Sequence, residues 1–499
     1  MGQEPVLSIV AVSRNDDHGG ELLKRMQLFI DGIAHQSRKY SLSTELIIVE
    51  WNPPGDRAPL IQTLHWPQEH PYLQIRIIVV PYEWHSRYRQ PERLKLHQMI
   101  GKNVGIRRAK GRFILATNID ILFSDDLFRF MASGSLEDHV LYRADRFDVC
   151  KDIPLLSSYE ERLNYCEDNL IRAFHPSGVV GAEQIDESYF ACADRTTGES
   201  GSAAGSFAPV HPHTNACGDF QLMSRSRWME LRGYAEFDFY PVHLDSLLEY
   251  AAVISGMTER RLDPSGMKVF HIDHAGSWIP QEEHNITVRF DQAEIPSLSK
   301  VQFYSLVYEM IASGTVAINN SCWGLGEVRL EEYVNPCYGV KFQHIEGGRA
   351  SSLKPLPLAS DTNEWIRRME QLVIQLHTLG AGSLTEWAEV LSGQKYAKGW
   401  LENKKLVVFG TGSCFTQYIS PALKQFGVDI AYFVDNDSKK WRLQLLGKEI
   451  VSPDQLVNDR FDDIFVIVAS NYYKEIREQL LSMGFIENEQ FMNGWFFQS

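Results

Sequence analysis

Residues 113–120 read Phe-Ile-Leu-Ala-Thr-Asn-Ile-Asp, an apolar run that emerges into Asn118 and Asp120. Read as one strand, the run sets those two polar side chains two places apart on one face, where they can hold a cation against a phosphate. A second polar cluster, Cys217-Gly218-Asp219, is followed by Tyr240-Pro241-Val242-His243-Leu244-Asp245. A third is Val269-Phe270-His271-Ile272-Asp273-His274, where strand alternation puts His271 and Asp273 opposite Ile272. Carboxylates that take protons or hold cations, and imidazoles that do either near neutral pH, are offered at three points of the chain.

Such groups act only if rigid elements hold them. Leu7 to Val12 is a short apolar run that stops at Ser13 and Arg14, passes Gly19 and Gly20, and leads into a helical pattern with Leu23, Met26, Ile30 and Ile33 on one face. A second run, Leu46 to Val49, ends in Glu50, Trp51 and Asn52, and a third, Ile75 to Val80, stops at Pro81. Three buried strands alternating with helices predict an open parallel sheet with its ligand crevice at the strand C-termini. Asn118 and Asp120 end the fourth strand.

The opening Ser-Ile-Val-Ala-Val-Ser-Arg-Asn, the strand ending in Glu50, and Lys102-Asn103-x-Gly105 leading through Ala109-x-Gly111 to Asn118-x-Asp120 together resemble glycosyltransferases of the GT-A type, family 2 or a close relative. The likeness runs in order over roughly the first 330 residues. It implies that Ser13 and Arg14 line a nucleotide pocket, that Glu50 meets uracil or ribose, and that Asp120 reaches a metal bridging the diphosphate. Asn103, Asn118 and Asp219 fall in the same nucleotide-sugar-binding set. Asn118 departs from the family, giving a neutral carbonyl where an aspartate is usual, so metal affinity is weakened or charge comes from elsewhere. The late histidine ligand of such enzymes is matched by His271, with His274 a near rival for the role. An imidazole beside a carboxylate and phosphate oxygens suits Mn2+ as well as Mg2+.

The segment from Cys217 through Gly233-Tyr234 to Asp245 resembles the acceptor side of the same enzymes. Transfer with inversion needs one base to take the acceptor's proton, and Asp245 is the expected base, with Asp219 and Glu249 in reserve and His243 a further option. The Gly- and Ser-rich stretch between Asp194 and Thr214 reads as a lid over the site, flanked by His211 and His213. Asn319-Asn320-Ser321-Cys322-Trp323-Gly324-Leu325 resembles a peptide near the end of the catalytic part in some bacterial sugar transferases.

The chain of 499 residues has 49 Lys plus Arg against 64 Asp plus Glu, a formal net charge of -15. That field repels an anionic sugar nucleotide, so a cation and local arginines such as Arg14 or Arg107 must reverse it locally, and it argues against nucleic acid as a partner. Seven cysteines without a CxxC pair suggest reduced thiols. No run approaches the roughly 20 apolar residues that cross a bilayer, and no signal-peptide pattern opens the chain. A cytoplasmic protein, or one peripheral at the inner membrane face, is the expectation.

Beyond a linker with Pro355 and Pro357 and a helix capped by Asp361 and Glu364, a second α/β unit is expected from Lys404. Leu406 to Phe409 reads as a strand, Gly410-Thr411-Gly412-Ser413 as a tight turn, Tyr418 to Phe426 as a helix, and Ile430 to Val434 as a strand ending in Asp435. Phe415 stands where a third fingerprint glycine would be. The unit resembles the small Rossmann-like module of bacterial sugar-modification proteins, which implies binding of a nucleotide or sugar nucleotide, or a scaffold for a partner or a second copy.

The expected architecture is therefore α/β, with a GT-A domain at 1–350, a linker and helical segment at 351–400 and a Rossmann-like domain at 401–499. The expected activity is metal-dependent transfer of a hexose or N-acetylhexosamine from a UDP-sugar to a hydroxyl of a glycan or lipid-linked saccharide, with inversion. The rivals are a non-catalytic GT-A carbohydrate-binding or assembly subunit, motivated by Asn118, a sugar-nucleotide oxidoreductase using the C-terminal glycine turn, and a retaining transferase.

Overall fold

Four apolar runs form the centre of a sheet: β1 (Leu7–Ser13), β2 (Thr44–Trp51), β3 (Leu73–Val80) and β4 (Phe113–Ala116), buried almost throughout. Near-continuous apolarity is what strands covered on both faces require. They pair in parallel in the order β4-β1-β2-β3 in a computed structural model of the chain, which describes residues 4–190, 212–274, 295–298, 302–347, 404–415 and 429–493, with short gaps inside these ranges. The proposed lid as far as His211, the linker at 351–400 with its capped helix, and the helix expected at 418–426 lie outside the described residues, while His213 is buried with its N–H on Glu259 Oε1 at 2.8 Å.

The residues divide into two compact units, Met1–Leu298 with Ala317–Glu364, and Ser299–Val316 with Trp365–Ser499. In the first, two further strands lie among those that extend the sheet beyond β4. They are β6 (Val140–Arg143) and β10 (Gln221–Ser224), the latter antiparallel between β4 and β6. β11 (Thr258–Arg261) adds to β6 in parallel. At the other edge β13 (Glu331–Asn335) runs antiparallel to β3 and carries β14 (Gln343–Ile345).

A second sheet has the order β5-β12-β7-β8-β9, from β5 (Ile121–Phe123), β7 (Arg146–Val149), β8 (Leu170–His175), β9 (Gly178–Gly181) and β12 (Val269–Ile272). β4 belongs to one sheet and β5 to the other, so the turn between them is where the chain crosses. The expected strand over 113–120 is therefore shorter. It ends at Ala116, the Thr117 N–H closes on the Val10 carbonyl, and Asn118 and Asp120 sit in the turn rather than on one pleated face.

Two helices flank β1 on opposite faces of the sheet. α1 (Leu22–Lys39) buries Met26, Phe29, Ile30 and Ile33 in the core with β1 and β2. α2 (Gln98–Arg108) lies close on β1. A Cβ at Gly101 would stand 2.5 Å from Val12 Cγ2, and one at Gly105 would stand 2.5 Å from Val10 Cγ1.

The second unit is a doubly wound α/β layer of order β17-β18-β16-β15-β19-β20. β15 (Lys405–Phe409), β16 (Ile430–Val434), β18 (Lys448–Val451), β19 (Ile464–Val468) and β20 (Phe491–Asn493) pair in parallel, and β17 (Gln444–Leu445) folds back on β18. Gly410 has φ +109°, and a Cβ there would meet the Ala469 carbonyl oxygen at 2.5 Å, so the turn needs glycine. Phe415 is buried edge-on against Phe433, which gives packing as the reason for a side chain where the third glycine is missing. The chain is thus a mixed α/β protein with a large mixed-sheet unit and a smaller Rossmann-like one, the class expected from its sequence.

Candidate active site

Asp120 is the hub. It is buried, and its Oδ2 accepts from Arg25 Nη1 at 2.7 Å and lies 3.1 Å from His274 Nε2 and 3.9 Å from His271 Nε2. The turn position aims it at β12, whose Ile272 N–H bonds the Asp120 carbonyl. Burial alone would raise its pKa, but His271, His274 and Arg25 more than offset this and hold the carboxyl well below the usual range.

His271 is aimed by a second carboxylate. Its Nδ1 is 3.0 Å from Asp148 Oδ1, which leaves Nε2 facing Asp120. A ligating imidazole is characteristically oriented by a carboxylate on its other nitrogen. Asp148 is in turn bound by Arg146 Nε at 2.6 Å and Arg172 Nε at 2.9 Å. His274 completes the set, and the His18 ring stacks edge-on to it at 5.9 Å.

Asp120, His271 and His274 offer ligand atoms that all lie within 4.8 Å of one another. Metal bonds near 2.1 Å place neighbouring ligand atoms roughly 3 to 4 Å apart, so one carboxylate oxygen and two imidazole nitrogens at these separations fit a divalent ion. The donor set is softer than an all-oxygen one and favours Mn2+ over Mg2+.

Asn118 faces away from this group. Its amide N–H2 donates to Asp219 Oδ1 at 2.5 Å, and its Oδ1 accepts from Gln98 Nε2 at 2.9 Å. Asp219 Oδ2 accepts from Arg146 Nη1 at 2.9 Å, so Asn118 and Asp219 are brought together.

Asp245 stands in the first turn of α3 (Leu244–Ile254). Its Oδ2 accepts the Gly218 N–H at 3.0 Å and its Oδ1 the Ser246 N–H at 2.8 Å, leaving further lone pairs for an acceptor. A Cβ at Gly218 would lie 2.7 Å from that Oδ2, so the close approach depends on glycine. Buried Lys102 donates to the Gly218 carbonyl at 2.8 Å, and burial lowers its pKa by more than Asp219, Asp245 and Asp120 raise it. Among the reserves, Glu249 is buried against Arg143 at 3.0 Å and its carboxyl is raised, chiefly by burial.

Ser13 and Glu50 are register partners at the ends of β1 and β2. Glu50 is buried, accepts the Leu60 N–H at 2.9 Å through Oε1, and has no partner on Oε2 among the described residues. Burial pushes its pKa up to about 7. Arg14 bonds the Asn52 carbonyl at 2.7 Å and pairs with Asp16. Asn103 is fully buried, and its amide is committed internally to both backbone groups of Tyr234 and to Glu236.

Arg25, Asp148 and Arg146 were not among the expected site residues. Arg25 lies on the apolar stripe of α1, and Arg146 and Asp148 alternate on a strand otherwise buried. Charges on faces that should be apolar were the signal in each case.

A family described as C2185-like, N-terminal matches residues 402–491, within the second unit. No curated protein matches the chain. Among solved structures, GalNAc-T7 with UDP, GalNAc and Mn2+ aligns at 10% identity over 62% of this chain, with a TM-score of 0.34. The chain spans about half of that protein's length, 48%, and a likeness at that score carries no weight for the chemistry.

Proposed function

We propose that the first unit is a metal-dependent glycosyltransferase that moves a hexose or N-acetylhexosamine from a UDP-sugar to a glycan hydroxyl with inversion. The observation that carries this reading is the convergence of Asp120, His271 and His274 beyond the C-terminal end of a parallel strand. A divalent ion held there would neutralise charge on a departing diphosphate. Asp148 fixes the His271 tautomer, Ser13, Arg14 and Glu50 line the nucleotide end, and Asp245 accepts the acceptor's proton. The resemblance of the Ser13, Glu50 and Asn118-x-Asp120 segments to GT-A enzymes supports the same assignment.

The test is a titration of Mn2+ and Mg2+ with UDP-sugar turnover, on the parent and on Asp120→Ala. Saturable Mn2+ binding tighter than Mg2+ binding, with turnover abolished in the variant, is the expected result. Equal metal response in both proteins would remove Asp120 from the centre. The Arg25–Asp120 pair favours one rival, a carbohydrate-binding subunit whose carboxylate is neutralised by a guanidinium. That rival expects UDP to bind without any turnover in Mn2+.

A further inference from the structure

Asn118 departs from the two-carboxylate pattern, and its surroundings explain why an amide stands there. Asp219, its partner at 2.5 Å, is 4% exposed in its side chain, and its Oδ1 and Oδ2 accept from Asn118 and Arg146. The Asn118 amide orientation is therefore fixed, with N–H2 toward Asp219 and the carbonyl toward Gln98. From Asp219 the chain of bonds continues to Arg146 at 2.9 Å, to Asp148 at 2.6 Å and to His271 at 3.0 Å. Every link beyond Asn118 is buried, and the last one holds the imidazole that faces Asp120.

An aspartate at 118, a half-buried position, would set a carboxylate against the buried Asp219 carboxylate. Asp219 would have to move, and Arg146 and Asp148 with it. We infer that Asn118 is a positioning residue: its amide donates to Asp219 and, through Arg146 and Asp148, fixes His271, so that restoring a second aspartate at 118 weakens the centre. This rests on the metal reading above for its functional effect, while the bond network stands independently of it.

Four proteins test it: the parent, Asn118→Asp, Asp219→Asn, and the exchange carrying both. Each is measured for metal-free melting temperature, for Mn2+ affinity by the loss of the free-ion resonance, and for UDP-sugar turnover. The expected result is that Asn118→Asp melts lower and binds Mn2+ about tenfold or more weakly, the range for disturbed outer partners of a ligand. The exchange should recover both, because an amide and a carboxylate again face each other. Unchanged or tighter Mn2+ binding by Asn118→Asp, or an exchange no better than the single variant, would overturn the proposal. If the parent itself binds no Mn2+, the metal reading fails, and the melting temperatures alone then decide whether the Asn118–Asp219 bond is the strut described.

Discussion

A carboxylate under two imidazoles and a guanidinium stays ionised far into acid, so Asp120 needs no proton removed before it takes a cation. The imidazoles must be neutral to ligate, and the Asp148 bond selects which His271 nitrogen is free. Asp245 carries a separate expectation. Asp245→Asn should keep donor affinity while turnover falls about a hundredfold or more, the usual range for a lost base, read as kcat against donor KM. Undiminished turnover would hand the role to another group. Much of this was legible from residue types and spacing: Asp120, His271 and its neighbour His274 are each visible in short runs. Arg25 was not, because a charge on a helix stripe of Leu22, Met26 and Phe29 looks like core until its partner is known. Nor was the direction of Asn118, whose partner Asp219 lies 101 residues away in sequence.

Among elements, α2 shows how a sequence motif can be a packing constraint. Gly101 and Gly105, one turn apart, let the helix backbone come down on Val12 and Val10, while Asn103 on another face staples it to Tyr234 and Glu236. Gly105→Ala would push a methyl into Val10 on a central strand. It should cost about 1–3 kcal/mol by overpacking, measured by denaturant unfolding. The Asn319–Leu325 peptide has a similar explanation. Arg108 Nη1 donates to the Gly324 carbonyl and Nη2 to those of Leu325 and Val328, and the Gly324 N–H bonds Glu236 at 2.7 Å. The parallel strands and α1 could be read directly from their apolar periods. The end of β4 could not, since Ile119 and Ile121 continue the pattern across a turn where the chain changes sheets.

For the whole molecule, buried carboxyls set an acid–base balance. Burial raises Glu50 and Glu236 to about 7 and raises Glu249 as well. In the folded chain these groups hold protons that the unfolded chain releases from about pH 4.5, and their contribution to stability falls as pH rises toward 7. Asp120, Asp145 and Asp148 are held low by their cationic partners, so their contribution is present above about pH 3.8 and is lost as pH falls further. His97 and His213, whose pKa values burial lowers, act in the opposite sense below about pH 6.5, so the check is a difference: Glu236→Gln should gain melting temperature on the parent as pH rises from about 4.5 to 7. A gap between variant and parent that stays constant from about pH 4.5 to 8 would contradict this. The net charge of -15 makes the clustering of Arg25, Arg146, Arg172 and Lys102 near these acids the more pointed. Finally, β13 borrows its sequence from far down the chain yet covers the flank of β3, with Glu332 reaching Arg76 at 2.5 Å. A protein trimmed before Glu331 would bare that flank's hydrogen-bonding groups to any passing strand, so a fragment of the first unit that resists edge-to-edge association has to retain the stretch through Ile345.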